Sequence, residues 1–211
     1  MRRLPVYLVL DCSGSMSGER IQQVKNGVQM LVSALRQDPQ ALETAFLSVI
    51  TFDSSAHEAV PLTDLPSFQA PNITATGTTA MGEALSLVAD CARRDVKTAS
   101  ATQKADWRPM VFLMTDGTPT DDFQKGLARF KQEKWGAVVA CGVDSADVGL
   151  LKQIAGEAVV TLSTTDAKAL EAFFKWVTAS ISTSSKSVQT GKEVEGLNQL
   201  PPPPPEIQVV V

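Results

Sequence analysis

The chain has 211 residues, 44% of them hydrophobic, and this length fits one domain of ordinary size followed by at most a tail. Its 19 basic and 23 acidic side chains give a formal net charge of -4, which excludes the strongly basic surface that binds nucleic acids or acidic membranes. No stretch approaches the roughly 18 to 20 consecutive apolar residues of a membrane-spanning helix.

Short apolar runs alternate with helical patterns along the chain. Apolar runs of strand length lie at residues 6–10, 46–52, 110–114 and 137–141. They are nearly continuous, as is typical of strands that are covered on both faces. Apolar residues spaced by three and four positions indicate helices over 21–35, 81–88, 123–130 and 170–181. This order predicts an α/β domain with a mostly parallel central sheet and helices on both faces.

One segment interrupts the alternation of strands and helices. Ala59-Val60-Pro61-Leu62 follows the second apolar run after a short turn, Asp53-Ser54-Ser55. A proline in a strand favours an edge position, because proline cannot donate a ladder hydrogen bond. We therefore predict one antiparallel edge strand.

The composition changes near the end of the chain. After Ile181 it becomes rich in Ser, Thr, Lys and Gly, and prolines then occupy positions 201–205. Because proline runs adopt the extended polyproline II form, we predict a domain over residues 1–185 and a flexible Ser/Pro-rich tail over 186–211. A ligand for an aromatic-lined groove is the other interpretation of the tail. Its closing apolar residues offer an additional edge strand.

Reactive side chains are scarce. His57 is the only histidine, and the three cysteines, Cys12, Cys91 and Cys141, are widely spaced. These residues favour neither a multi-histidine zinc site nor a disulfide framework nor a CxxC pair. The apolar run behind the basic N-terminus is shorter than the roughly 7 to 15 apolar residues of a signal peptide. We therefore predict a reduced, cytoplasmic protein.

Three polar clusters occur where predicted strands end or helices begin. They are Asp11-Cys12-Ser13-Gly14-Ser15, Gly77-Thr78-Thr79-Ala80-Met81-Gly82 and Thr115-Asp116-Gly117-Thr118. In open α/β sheets, ligands bind outside the carboxyl ends of the strands, where such loops meet. Two carboxylates and several hydroxyls have the oxygen chemistry of a hard cation such as Mg²⁺. For the first cluster taken alone, an Asx turn with helix capping remains an equally good interpretation.

The three clusters together resemble the metal-ion-dependent adhesion site (MIDAS) of von Willebrand factor A (VWA) domains. The first resembles the DxSxS signature, and the others supply the family's threonine and aspartate as Thr79 and Asp116. The resemblance covers roughly residues 4–182 and implies a doubly wound, Rossmann-like sheet. It also implies that Asp11, Ser13 and Ser15 bind Mg²⁺, or else Mn²⁺ or Ca²⁺, and that an acidic residue of a protein partner completes the coordination. Thr79 and Asp116 would exchange direct and water-mediated contacts.

A narrower resemblance is to the TerY-like VWA proteins of bacterial tellurite-resistance operons. It rests on Met1-Arg2-Arg3-Leu4-Pro5-Val6-Tyr7, Arg36-Gln37-Asp38-Pro39, Asp106-Trp107-Arg108-Pro109 and Phe173-Phe174-Lys175-Trp176-Val177. The resemblance implies a scaffold or regulator in tellurite or stress resistance. The implied partners are a protein kinase and a PP2C-type phosphatase.

Two other functions compete with metal-dependent protein interaction. Asp11 has the position of the nucleophile of aspartyl phosphotransferases, but Ser13 stands where that chemistry needs a second acid. A serine hydrolase would need Gly-x-Ser-x-Gly, and Met16 occupies the place of its serine. We therefore predict no enzymatic activity, with metal-dependent phosphoryl transfer or hydrolysis as the alternative. In the third hypothesis the Pro-rich tail carries the interaction.

Overall fold

A computed structural model of the chain describes residues 2–144, 146–163 and 168–210. Met1, the first residue of the predicted domain, and Val211, the last residue of the predicted tail, lie outside the described residues. The strands are β1 (Leu4–Asp11), β2 (Ala45–Phe52), β3 (Ala56–Asp64), β4 (Met110–Thr115), β5 (Ala137–Val143), β6 (Val159–Leu162) and β7 (Gln208–Val209). The helices are α1 (Glu19–Leu35), α2 (Pro39–Thr44), α3 (Met81–Asp95), α4 (Phe123–Phe130), α5 (Val148–Ala155) and α6 (Ala169–Gln189).

The strands form one sheet in the order β3-β2-β1-β4-β5-β6-β7. Strands β2, β1, β4, β5 and β6 run parallel to one another, and β3 runs antiparallel to β2. This arrangement confirms the mostly parallel sheet and the predicted antiparallel edge strand. The side chains of β3 alternate in exposure, as expected of an edge that faces solvent on one side. At the opposite edge, the two-residue β7 adds a further antiparallel pairing to β6.

Helices cover both faces of the sheet, as predicted. Successive side chains of β1 point to opposite faces, so Leu8 joins one hydrophobic cluster and Tyr7 the other. The Leu8 cluster contains the apolar stripes of α1 and α6, and the Tyr7 cluster those of α3, α4 and α5. Two buried layers explain why the strand sequences are apolar at nearly every position.

Three elements were not predicted from the sequence. Helix α2 begins after Asp38, whose carboxylate accepts hydrogen bonds from the backbone N–H groups of Gln40 and Ala41 at 3.0 and 3.3 Å. Pro39 occupies the first helical turn, where its missing N–H is tolerated. Strand β6 and helix α5 have only 4 and 8 residues, which is too short for a clear hydrophobic period.

The C-terminal segment continues past the predicted boundary at residue 185. Helix α6 extends to Gln189 because Val188 prolongs its buried stripe. Leu200 and Ile207 are also buried, and the indole N–H of Trp176 donates a hydrogen bond to the Pro201 carbonyl at 2.8 Å. The proline-rich segment therefore lies along α6, and β7 follows it into the sheet.

Helices α3 and α4, which follow the second and third polar clusters, approach each other closely. A Cβ atom on Gly126 would lie 2.0 Å from the carbonyl oxygen of Gly82, and one on Gly82 would lie 2.4 Å from the carbonyl oxygen of Asp122. Because both obstacles are backbone atoms, neither glycine can carry a side chain without displacing a helix. This contact holds the starts of the two helices together.

The anchoring of the tail is tested by a pair of adjacent substitutions. Ile207→Ala will lower the free energy of unfolding by about 2 kcal/mol, because it removes a buried side chain. Glu206→Ala, at an exposed neighbouring position, will change it by less than about 0.5 kcal/mol. Urea denaturation of both variants measures the difference. Equal stability of the two variants would contradict the packing of the tail.

The contact between α3 and α4 is tested by Gly126→Ala. Alanine normally stabilises a helix interior by about 1 kcal/mol relative to glycine. Here we expect a loss of about 3 kcal/mol in unfolding free energy, because the added methyl group meets the Gly82 carbonyl. Gly149→Ala in α5 is the control, since its methyl group would meet only the carboxylate of exposed Asp147. Thermal unfolding of Gly126→Ala at or above the wild-type temperature would disprove this packing.

Candidate metal site at the carboxyl edge of the sheet

The first and third polar clusters meet at the end of two neighbouring strands. Strands β1 and β4 are paired in parallel up to Leu10 and Met114, so Asp11 and Thr115 follow at the same edge. In the sheet, β1 has β2 on one side and β4 on the other, so the chain continues from β1 to one side and later crosses to the opposite side. This point is therefore the topological switch of the sheet, where open α/β folds bind ligands. The Thr115 hydroxyl donates a hydrogen bond to Asp11 Oδ2.

The first cluster forms a tight loop around the Asp11 carboxylate. Asp11 Oδ1 accepts a hydrogen bond from the Ser13 N–H at 2.8 Å, and the hydroxyl oxygens of Ser13 and Ser15 lie 3.0 Å apart. Asp11 is only 1% exposed. The Cys12 side chain packs into the hydrophobic cluster below α1 and α6, as expected for a residue that points away from the site. The Asx turn is thus present, and it brings both hydroxyls to the same side.

The third cluster adds the second carboxylate. The Ser15 hydroxyl donates to Asp116 Oδ1 at 2.6 Å, which links loops that are 101 positions apart in sequence. Asp116 Oδ2 accepts a hydrogen bond from the Arg20 guanidinium at 3.0 Å. Asp116 is 7% exposed, so both acids of the site are buried. Four of the five predicted ligands, Asp11, Ser13, Ser15 and Asp116, therefore belong to one hydrogen-bonded group.

Thr79 lies beside this group, next to Gly117 of the third cluster. Its hydroxyl oxygen lies 3.1 Å from the position that a Cβ atom on Gly117 would take, directly beside Asp116. The Thr79 N–H donates to the Thr120 hydroxyl at 3.1 Å, and its carbonyl accepts from the Thr120 N–H at 2.9 Å. The Gly77 carbonyl accepts from the Gly14 N–H at 3.1 Å. The second cluster is thus hydrogen-bonded to the first cluster and to the segment that follows the third.

The electrostatics of the site suit a cation. Burial raises the pKa of the Asp11 carboxyl above its ordinary value, and the neighbouring Asp116 carboxylate raises it as well, while hydrogen bonds from Ser13 and Thr115 act in the opposite direction. Two buried carboxylates and three hydroxyls are donors that Mg²⁺ accepts. In the described part of the chain, no group of three or more His, Cys, Asp or Glu side chains could hold a metal ion. A metal at this edge would therefore depend on the hydroxyls.

Several other polar residues and the cysteines have structural roles. Asp53 is a turn residue whose carboxylate accepts the Ser55 N–H at 3.2 Å. His57 lies on β3, exposed, with its Nε2 2.8 Å from the Ser55 hydroxyl. Asp122 caps α4 by accepting the Lys125 N–H at 3.0 Å. Asp121 accepts the Gly82 and Glu83 N–H groups of α3, so it caps a helix other than its own. The three cysteines are free and buried.

Sequence reasoning missed two charged residues at the site, Arg20 and Asp144. The Arg20 guanidinium contacts Asp116 and, at 2.6 Å, Asp144 Oδ2. Arg20 follows the first cluster closely, which was a usable signal. Asp144 follows β5 and is separated from Arg20 by 124 positions, so the sequence carried no sign of the contact.

The comparisons with known proteins agree with this α/β fold. The family model described as "von Willebrand factor type A domain" matches residues 6–176, and the chain belongs to this family. None of the helices in the described ranges is long and apolar enough to cross a membrane. No curated protein matches the sequence.

Solved structures of low sequence identity share the fold. A von Willebrand factor type A protein from Catenulispora acidiphila is 19% identical, with a TM-score of 0.67 over 86% of this chain and 43% of that one. Proximal thread matrix protein 1 of the mussel byssus, with a zinc-occupied MIDAS motif, is 21% identical, with a TM-score of 0.57 over 84% and 46%. The domain of the type V pili tip protein Mfa5 from Porphyromonas gingivalis is 14% identical, with a TM-score of 0.63 over 91% and 97%. This chain spans less than half of the Catenulispora and mussel proteins.

The electrostatic cost of the buried acid is tested by Asp11→Asn in the presence of chelator. A raised pKa means that folding disfavours the charged carboxylate, so wild-type stability falls as the pH rises from about 4 through the folded-state pKa. At pH 7 the neutral amide removes that cost, and the free energy of unfolding will rise by about 1 kcal/mol. Urea denaturation gives the value. Glu157→Gln, at an exposed position, is the control, and a destabilised Asp11→Asn protein would show that the hydrogen bonds outweigh burial.

Proposed function

We propose that this chain is a divalent-cation-dependent protein-interaction domain. Its Mg²⁺ site would be formed by Asp11, Ser13, Ser15, Thr79 and Asp116. The observation that carries the proposal is the hydrogen-bonded group that joins two buried carboxylates and the Ser13 and Ser15 hydroxyls across loops from separate strands. When bound, the cation supplies an electrophilic position that an oxygen ligand from outside the chain can occupy.

The site residues contribute to cation binding either by their charge or by holding another residue in position. Asp11 and Asp116 supply the negative charge, while the Ser13 and Ser15 hydroxyls are neutral donors that leave part of the cation's charge uncompensated. A carboxylate of a partner protein is therefore the ligand that such a site attracts most strongly. The Thr115 hydroxyl and the Ser13 N–H orient Asp11, which has no freedom to turn away because it is buried.

The choice of metal rests on the donor atoms. Zinc occupies the MIDAS motif of the mussel byssus protein, which supports a divalent cation at the corresponding edge of this fold. The donors here are oxygen atoms, and the group contains neither histidine nor cysteine side chains. Oxygen donors of this kind favour Mg²⁺, with Mn²⁺ and Ca²⁺ as the other candidates.

The cellular role that we propose follows the TerY-like resemblance. It is a cytoplasmic scaffold or regulator in a bacterial tellurite or stress-resistance system, with a protein kinase and a PP2C-type phosphatase as partners. Two of the segments that carry the resemblance contact each other: Arg3 forms an ion pair with Asp106 at 2.5 Å, and Arg2 lies over the Trp107 ring at 3.4 Å. Those residues contact each other and stabilise the N-terminal side of β1. Because their contacts lie within the chain, the metal site is the better candidate for binding a partner.

The residue types favour binding over catalysis. Aspartyl phosphotransfer with Asp11 as the nucleophile would need a second acid two residues later, and Ser13 occupies that position. The tail is the other alternative site of interaction. Its contacts with Trp176 and β6 hold it against the domain, which favours the metal site over a free proline-rich ligand.

Metal binding is tested by isothermal titration calorimetry with MgCl₂. Ser13→Ala will lower the affinity at least about tenfold, because it removes a donor oxygen without disturbing the backbone turn. Ser17→Ala is the matched control, since Ser17 is an exposed serine in the same loop, and its affinity will equal that of the wild type. Absence of Mg²⁺, Mn²⁺ and Ca²⁺ binding to the wild-type protein would refute the proposed site.

The interaction itself is tested by affinity capture from bacterial lysate with Mg²⁺ or with chelator. Proteins that are captured by the wild-type chain and lost with chelator and with Ser13→Ala support docking at the metal. An unchanged set of captured proteins in all three conditions would contradict it. Turnover of a generic phosphoester that Asp116→Asn abolishes would favour the enzymatic alternative.

A further inference from the structure

Arg20 places a fixed positive charge inside the candidate metal site. It lies in the first turn of α1, and its guanidinium donates to Asp116 Oδ2 at 3.0 Å and to the Ser15 carbonyl at 3.2 Å. The Asp116 side chain is 2% exposed, while that of Arg20 is 33% exposed. The arginine thus closes the solvent side of an otherwise buried carboxylate. This contact uses one of the two oxygens through which Asp116 would serve a metal ion.

A second carboxylate holds the other end of the guanidinium. Arg20 donates to Asp144 Oδ2 at 2.6 Å, and the Asp144 side chain is 26% exposed. Asp144 directly follows β5, the neighbour of β4, and its N–H donates to the Leu162 carbonyl at 2.8 Å. Its φ of 52° lies in the left-handed region, which a non-glycine residue adopts at a cost. Arg20 therefore bridges a carboxylate of the metal site and one outside it.

The two cations, arginine and metal, have opposing requirements at Asp116. A guanidinium that satisfies Oδ2 makes this oxygen a poorer metal donor, and its positive charge repels a divalent ion at a few ångströms. Asp144 weakens both the hold of Arg20 on Asp116 and the repulsion of the divalent ion, because its carboxylate also binds the guanidinium. The affinity of the site for a divalent cation then depends on how Arg20 is divided between Asp116 and Asp144.

Building on the proposed metal-dependent function, we propose that Arg20 is an internal competitor of the divalent cation for Asp116, and that Asp144 is the anchor that moderates it. The pair sets the metal affinity of this chain without supplying a ligand. In this arrangement, loss of the arginine strengthens metal binding, while loss of its anchor weakens it. Substitutions that merely damaged the fold would weaken binding in both cases.

Calorimetric titration of the full chain with MgCl₂ at low ionic strength tests this proposal. Arg20→Gln will bind Mg²⁺ about tenfold more tightly than the wild type, and Asp144→Asn about threefold more weakly. Lys25→Gln removes the same charge from the same helix, and its affinity will remain within about twofold of the wild type. The difference between Arg20→Gln and the wild type will shrink at high salt. Unchanged or weaker binding by Arg20→Gln, or equal tightening by Lys25→Gln, would overturn the competition.

A second measurement tests the Arg20–Asp116 contact independently of metal. In chelator, Arg20→Gln, Asp116→Asn and the double variant form a cycle of unfolding free energies. We expect Asp116→Asn to be less destabilising in the Arg20→Gln background, because the guanidinium then loses no partner. If the changes in unfolding free energy of the two single variants add up to that of the double variant, Arg20 and Asp116 do not interact and the competition has no basis.

The two proposals fail in different ways. If neither the wild type nor Arg20→Gln binds Mg²⁺, Mn²⁺ or Ca²⁺, the metal-dependent function is wrong and the competition falls with it. If the wild type binds metal and Arg20→Gln binds it no better, only the competition is wrong. Binding that is detectable only in Arg20→Gln would support the competition and would refute metal-dependent function of the wild-type chain.

Discussion

The proximity of two buried carboxylates, Asp11 and Asp116, is the constraint on which the functional edge of this protein depends. Burial and mutual repulsion disfavour two negative charges in one pocket. The chain offsets this cost with hydroxyl and backbone N–H donors, and with the guanidinium of Arg20. A divalent cation would compensate the same charges more completely, which gives the site a physical reason to bind one. Metal binding at this edge would therefore be linked to its folding through the same two residues.

The rest of the fold keeps the loops that carry these acids in place. Parallel pairing of β1 with β4 sets Asp11 of the first cluster beside Thr115 of the third. The close glycine contact between α3 and α4 joins the helices that begin near the second and third clusters. Asp121 belongs to the loop before α4 but caps α3, so it ties the second and third clusters together. These supports bring the hydroxyl and N–H donors of separate loops to two buried carboxylates at one edge of the sheet.

Membership of the von Willebrand factor type A family defines the fold and leaves the partner to experiment. The solved structures that share this fold include pilus proteins and a byssus matrix protein, and several are much longer than this chain. At the corresponding edge of the present chain, Arg20 is shared between Asp116 and Asp144. Under the proposed competition, the metal affinity of this site would respond to salt and to substitutions outside its ligand set.

The sequence by itself determined the alternation of strands and helices, the edge strand with Pro61, and the residue types of the candidate ligands. These features are local, since apolar periods and short motifs depend only on residues that are close together in the sequence. Strand β6 and helix α5 are too short to show a period, and their places became clear only from pairing and packing. The packing of the tail and the bridge between Arg20 and Asp144 also needed the tertiary structure. Both join residues far apart in the chain, and only the order of the strands in the sheet decides which distant residues meet.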